Sequence, residues 1–283
     1  MHKACYTGHM NIAVDIGGTK TLVASFHGER SVTNEERFPT PQGPQEFIRQ
    51  LVSVLEHFNA KNAQAISIAA PGIIDTVNGT ILRCGNLPQW TSFELRNLLG
   101  KEYSCPIFLN NDAKMAGLAE THSLSEIPDL SLYVTVSTGI GTGLIAHGRL
   151  DTAFDTSEGG FMTLQTAEGF QPWEDFASGQ AIRKHFGKMA ADITDPADWA
   201  EVVERLALGF QVIIPLLQPQ VIIIGGSVGT YFERYGHVLS ETLRQRISRY
   251  IDMPKIVQAQ HPQEAVVYGC YYYATHQGIT ITA

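Results

Sequence analysis

Three glycine-rich turns, at residues 17–18, 139–143 and 225–226, each follow a run of β-forming residues. Glycine lets backbone N–H groups approach an anion closely, and the hydroxyls of Thr19, Thr138 and Ser227 add donors beside them. Each turn taken alone is more often a plain hairpin, but the three together point to polyphosphate as the natural ligand. Two standard nucleotide motifs are excluded. Gly18-Thr19-Lys20 lacks the Gly-x-x-x-x-Gly-Lys-Ser/Thr frame of a Walker A loop. Gly139-Ile140-Gly141-Thr142-Gly143 is not Gly-x-Gly-x-x-Gly, and it leads into a strand where a dinucleotide fingerprint requires a helix. Asn110-Asn111-Asp112 closes another apolar run, and reads either as a carboxylate available for chemistry or as the cap of a helix over 113–120.

The elements that must position these residues alternate. Residues 11–14 form a strand, the Gly17-Gly18 turn follows, and 22–26 form a second strand. Phe47, Ile48, Leu51, Val52, Val54, Leu55 and Phe58 recur at helical spacing over 45–58. Strands are predicted at 65–69, closed by Pro71-Gly72, and at 107–109. Residues 132–136 and 144–146 flank the glycine-rich hairpin. A long helix is predicted over 198–217, broken near Pro215, then a buried strand at 221–224, a helix over 231–247, a strand at 255–259 and a last helix over 263–275. Such alternation argues for an α/β class. No fixed-period repeat and no low-complexity segment is visible, and no Pro- or Ser-rich linker divides the chain.

Composition narrows the functional classes. The chain has 283 residues, 44% of them hydrophobic, and a formal net charge of −8, so a sizeable core is available and phosphate backbones are repelled. Its longest apolar runs fall far short of the roughly 20 residues that span a bilayer, and residues 1–10 lack the apolar segment of a secretory signal. A reducing cytoplasm is the expected compartment, with neither nucleic acid nor membrane as partner. Cys5, Cys84, Cys105 and Cys270 are dispersed, without Cys-x-x-Cys pairs or histidines at ligand spacing. None of the ten histidines pairs with a Ser or Cys nucleophile in a recognisable pattern. Trp90 and Trp173 read as core residues rather than sugar-stacking platforms.

In order along the chain, Asp15-Ile16-Gly17-Gly18-Thr19-Lys20, Asn86-Leu87-Pro88-Gln89-Trp90, Asn111-Asp112-Ala113, the 137–143 turn with Gly148-Arg149-Leu150, and Ile224-Gly225-Gly226-Ser227 resemble the ROK family of sugar kinases and repressors, over roughly 11–275. The resemblance implies an α/β, actin-like/hexokinase-like (ribonuclease H-like) two-lobe ATPase fold, with ATP between the lobes and a sugar at the base of the cleft. Its expected boundaries are 11–113 for the N-terminal lobe, with the C-terminal helix 263–283 packing back on it, and 114–262 for the C-terminal lobe. It also implies that Asp15 sits by a magnesium ion and the phosphates, with Gly17, Gly18, Thr19 and Lys20 close by. Thr138, Gly139 and Gly141 would form a second phosphate turn, and Gly225, Gly226 and Ser227 would border the adenosine. Gly72, Asn86, Asn111, Asp112, Glu158 and Glu174 are implied to bind the sugar. Asp112 is implied as the general base, because phosphoryl transfer to an alcohol needs a carboxylate that takes the hydroxyl proton.

This chain also departs from the family pattern. Phe161 stands where many members carry a histidine that contacts sugar and ligates structural zinc, and the Cys cluster completing that site is missing, so no structural zinc is expected. Phe161 is expected to pack against the loop that the zinc would have fixed. Glucose is the leading substrate, with N-acetylmannosamine, fructose, mannose, allose and N-acetylglucosamine as alternatives, and polyphosphate as an alternative donor. Homodimerisation is implied by the resemblance alone. Two other classes compete: a sugar-sensing repressor, whose N-terminal helix-turn-helix domain has no room before Asp15, and a sugar-binding protein without catalysis.

Overall fold

Ile12, Val14 and Ile16 alternate along the first strand, β1 (Met10–Ile16), so one of its faces is wholly aliphatic. That face meets the buried stripe Phe47, Leu51, Val54 and Leu55 of helix α1 (Pro44–His57) in one core. The structure, a computed structural model, describes residues 10–28, 31–261 and 264–277. These residues fall into two compact units.

In the first unit β1 turns into β2 (Lys20–His27), which pairs with β3 (Val32–Pro39). After α1 come β4 (Ala65–Ala70), the hairpin β5 (Ile73–Asp75) and β6 (Thr80–Arg83), the short helix α2 (Leu95–Leu99), β7 (Ile107–Asn111) and α3 (Asp112–His122). The sheet runs β3-β2-β1-β4-β7, with the β1–β2–β3 pairings antiparallel and the β1–β4–β7 pairings parallel. Because β1, β4 and β7 are parallel, their C-terminal ends lie along one edge: Asp15 is level with Ala69, and Ala70 with Asn111. In open α/β sheets ligands bind at that edge.

The second unit repeats this plan. Its elements are β8 (Leu130–Val136), β9 (Ile140–Ala146), β10 (Arg149–Leu150), the hairpin β11 (Thr163–Thr166) and β12 (Gly169–Pro172), α4 (Trp173–Ala177), α5 (Gly179–Phe186), α6 (Pro196–Leu217), β13 (Val221–Gly225), the one-turn α7 (Gly226–Gly229), α8 (Gly236–Arg246) and β14 (Lys255–Gln258). Its sheet order is β10-β9-β8-β13-β14, again two antiparallel pairings followed by two parallel ones. The sequence shows no repeat, yet the strand plan occurs twice, because a topology constrains burial and connection rather than residue identity. The last helix, α9 (Ala265–Gln277), groups with the first unit, on β1 and β4.

The units divide inside α3, at Ala119/Glu120, rather than at its start, and Thr152–Thr156 groups with the first unit. Continuity of α3 explains this. The helix is buried from Ala113 to Thr121, and its Met115 carbonyl lies where a side chain on Gly269 of α9 would be, so it has no break at residue 113. Residues 278–283 of the C-terminal segment, like Cys5, lie outside the described residues.

Two helix expectations need correction. α6 is not broken at Pro215: it starts at an Asp195 cap that accepts from the Ala197 amide at 2.8 Å, runs through the proline and stops when Gln218 takes φ +45°. A proline so near the C-terminus forfeits little of the helix ladder. The single helix expected over 231–247 is instead a 3₁₀ turn, Phe232–Arg234, followed by α8. The Phe232 ring fills the place of a side chain at Gly236, and Tyr235 stacks on Trp199 with centroids 5.1 Å apart, which holds the chain at that bend. No helix among the described residues is long and apolar enough to cross a membrane.

Candidate active site

At the edge of the first sheet the β1–β2 turn is closed by a Gly17 amide bond to the Lys20 carbonyl at 2.9 Å, and a side chain on Gly17 would press on that same carbonyl. Gly18 abuts Asn86: an added Cβ would sit 3.1 Å from the Asn86 Cβ. Thr40, which nothing in the sequence singled out, clasps the turn from behind. Its hydroxyl donates to the Gly17 carbonyl at 2.8 Å and lies 2.9 Å from the Thr21 hydroxyl, and its amide donates to the Thr19 carbonyl at 3.0 Å. Valine at position 40 keeps the shape but leaves the Gly17 carbonyl and the Thr21 hydroxyl without this partner. T40V is therefore expected to cost about 1–3 kcal/mol in denaturant unfolding; an unchanged midpoint would contradict the clasp.

Asn111 and Asp112 stand at the β7–α3 junction. The cap of α3 is Asn111, whose Oδ1 accepts from the Lys114 amide at 3.2 Å while its Nδ2 donates to the Gly72 carbonyl at 2.9 Å. Asp112 Oδ1 accepts from the Ala113 amide at 2.8 Å. The two alternatives for this motif therefore fall on adjacent residues: Asn111 caps and braces Gly72, and Asp112 brings a carboxylate to the sheet edge. Gly72, at φ +94°, turns tightly against the Arg83 carbonyl and Cys84 Cα, where no side chain fits.

Asp15 is the electrostatic centre of this edge. By the alternation of β1 it lies on the face opposite Ile16, toward α9 and Cys270, whose thiol donates to the Val14 carbonyl. Burial first and the neighbouring Asp112 carboxylate second push the Asp15 carboxyl up to about 7, against the opposing effect of Arg37 of β3. Arg37, not Lys20, is thus the cation that acts on Asp15; Lys20 is exposed and serves the turn through its carbonyl. The buried Lys114 ammonium donates to the Asp155 carbonyl at 2.8 Å.

The second unit assembles the remaining predicted residues at the matching edge. The β8–β9 turn is closed by a Ser137 amide bond to the Gly139 carbonyl at 2.9 Å, with Thr138 exposed at its tip and Gly141 level with Thr135. Gly225 ends β13 level with Thr135, and Gly226, at φ +79°, begins α7 against the Val136 carbonyl, which an added Cβ would meet at 2.5 Å. Ser227 is exposed on that turn. Glu158 precedes a 3₁₀ turn, Gly159–Phe161, that is clamped to β9 by a Gly159 amide bond to Thr142 Oγ1 at 2.9 Å.

Glu174, expected to serve the sugar, has its Oε2 at the second glycine turn, accepting from the Ile140 amide at 3.2 Å and filling the space above Gly139. Phe161, expected to pack against a loop, is 55% exposed, and Gly160 beside it takes the inward position against the Ile140 carbonyl. Trp90 and Trp173 are both fully buried core residues. Among the described residues no group of three or more His, Cys, Asp or Glu side chains is placed to hold a metal ion.

Comparison with known proteins places this geometry in context. A model described as the ROK family matches residues 11–277. The glucokinase of Thermotoga maritima is 27% identical over 288 residues, covering 87% of this chain and 89% of that protein. The ROK hexokinase of Thermus thermophilus, 27% identical, superimposes with a TM-score of 0.78 over 94% of this chain and 98% of that one. A ROK family glucokinase from Streptomyces griseus, solved with glucose and AMPPNP, shares the fold at 21% identity, with a TM-score of 0.75 over 92% of this chain and 97% of that one.

Proposed function

Because the chain belongs to the ROK family and has its two-lobe, actin-like/hexokinase-like α/β fold, we propose that it is a sugar kinase that phosphorylates a hexose, with glucose as the leading acceptor, glucose 6-phosphate as the product and ATP as the donor. The observation that carries this reading is the meeting of Asp112, Asp15 and the Gly17–Gly18 turn at one sheet edge: a base, a second carboxylate and an amide-rich anion site. The named relatives, a glucokinase and a hexokinase, support the substrate class.

In this reading Asp112 accepts the proton of the sugar hydroxyl as its oxygen attacks the γ-phosphorus. The bond from that phosphorus to the β,γ-bridging oxygen breaks, and ADP leaves. The amides and hydroxyls of 17–19 and of 138–141 hold the donor's phosphates, while Gly225, Gly226 and Ser227 border its nucleoside. Gly72, Asn86, Asn111, Glu158 and Glu174 bind the sugar beside Asp112. Asn111 keeps Gly72 in place and thereby shapes the acceptor side of the edge.

Magnesium fits the donor set in unit one. Asp15 and Asp112 are close enough to raise the Asp15 carboxyl, so the pair carries negative charge that a divalent cation would offset, and magnesium is commonly held by one or two carboxylates together with substrate phosphates. Asp15 is the residue proposed to hold it. When bound, the ion supplies charge neutralisation on the phosphates.

N-acetylmannosamine or another hexose or N-acetylhexosamine is the alternative acceptor, and polyphosphate the alternative donor. ADP release measured with magnesium-ATP across hexoses and N-acetylhexosamines tests the proposal. Turnover is expected on at least one sugar. Sugar binding without turnover on ATP or polyphosphate would replace the kinase by a non-catalytic sugar sensor.

A further inference from the structure

Asp155 is held by two of its groups at once. Its carbonyl accepts from the buried Lys114 ammonium at 2.8 Å, and its carboxylate accepts from the Thr76 hydroxyl. It follows the 3₁₀ turn Thr152–Phe154, and its amide donates to the Thr152 carbonyl at 3.2 Å. The stretch Thr152–Thr156 groups with the first unit, whereas Asp151 before it and Ser157 after it group with the second. It is thus a short strap fastened to the first unit, and Glu158, one of the residues proposed for the sugar, stands two positions beyond its end.

Both anchors of the strap are themselves well held. Thr76 lies at the turn of the β5–β6 hairpin, where the Asp75 carboxylate accepts from the Asn78 amide at 2.9 Å and from its side-chain Nδ2 at 2.7 Å. Arg96 of α2 clasps the same turn, donating to the Thr76 carbonyl at 3.2 Å and to the Val77 carbonyl. Lys114 lies in the first turn of α3, two residues past Asp112 and between the buried Ala113 and Met115. A charge taken out of water is costly unless it is paired, and an apolar side chain of similar length would pack there without that cost. We propose that Lys114 is a positioning residue: by holding Asp155 it fixes the strap from which Glu158 is presented to the sugar, so the helix that carries the general base also sets the acceptor site. This deepens the kinase reading and rests on it.

K114M keeps the length of the side chain and leaves in place the backbone amide that serves the Asn111 cap. In magnesium-ATP turnover with glucose, or with N-acetylmannosamine where glucose is refused, the variant should raise KM for the sugar on the order of tenfold, the size of a lost hydrogen bond to a charged group, and leave KM for ATP unchanged. E158Q should raise the sugar KM by itself, and K114M added to it should raise it little further, because both act through one residue. Effects that multiply, an unmoved sugar KM, or a lowered melting temperature with both KM values unchanged would each overturn the inference. Should K114M fail to fold, T76V removes the other anchor and should shift the sugar KM in the same direction; an unmoved KM there would also overturn it. Chymotrypsin reads the strap without any sugar. Cutting after Phe154 should quicken on the order of tenfold in K114M, while cutting after the exposed Phe170 keeps its rate, and an unchanged rate at Phe154 would contradict the anchoring. A strap that loosens in this way in a protein that turns over no hexose or N-acetylhexosamine would bring down the kinase reading and leave the anchoring intact, which distinguishes the two failures.

Discussion

Replacing Asp112 with asparagine is expected to lower kcat by about 10²- to 10⁴-fold, the range that a positioned general base contributes. Asparagine keeps the oxygen that accepts from the Ala113 amide, so the start of α3 is preserved, and Asn111, which caps the helix, is untouched. What the variant loses is the capacity to take a proton. Substrate binding makes little use of that capacity, so the KM values for donor and sugar should stay within a few-fold while kcat falls, the pattern of an interaction made mainly in the transition state. A parallel loss of folded protein would point to a structural role. A normal melting transition with the fall confined to kcat supports the base.

Asp15→Asn should raise stability while abolishing turnover, and the gain should depend on pH in a definite direction. The Asp15 carboxyl lies at about 7 in the folded protein against 3.8 for the free group, first through burial and then through the charge of Asp112. Between those values the folded chain holds a proton that the unfolded chain releases. Stability is therefore fully retained below about pH 4 and lost as pH rises through 7. At 1.36 kcal/mol per pH unit the ionised residue costs roughly 4 kcal/mol above pH 7. Asparagine does not ionise, so without magnesium the variant should match the parent at pH 4 and exceed it by up to about that amount at pH 8, as measured by denaturant unfolding. A stability difference independent of pH would contradict the strained carboxylate. Loss of turnover despite the greater stability would mark Asp15 as a residue whose charge is retained for function rather than for folding.

Much of the first sheet edge was legible in the sequence, because its chemistry sits where strands end. Asp15-Ile16-Gly17-Gly18 and Asn110-Asn111-Asp112 follow short apolar runs, and in a parallel sheet such ends converge without further information. The stripe of α1 was equally plain from its spacing. Other elements carry no such mark. β3 reads Val-Thr-Asn-Glu-Glu-Arg-Phe-Pro, a charged edge strand that looks like a loop, because an edge is kept soluble by the very residues that hide it. Thr40 at the first turn and Arg37 beside Asp15 were invisible for that reason: their roles follow from the β2–β3 pairing. The bond of Glu174 to Ile140 was equally invisible, since it spans 34 residues and depends on how Trp173 is anchored. The exposure of Phe161 likewise depends on Gly160 taking the inward place.

Phosphoryl transfer from ATP to a sugar hydroxyl is open to direct observation by ³¹P NMR of the complete reaction. With magnesium-ATP and glucose, and in parallel with N-acetylmannosamine and the other hexoses, a sugar phosphate resonance should grow for at least one acceptor as the γ-phosphate signal declines, and both changes should slow at least 100-fold in D112N. Folded protein that leaves the ATP resonances unchanged with every sugar, or that converts ATP only to ADP and inorganic phosphate, would contradict the account.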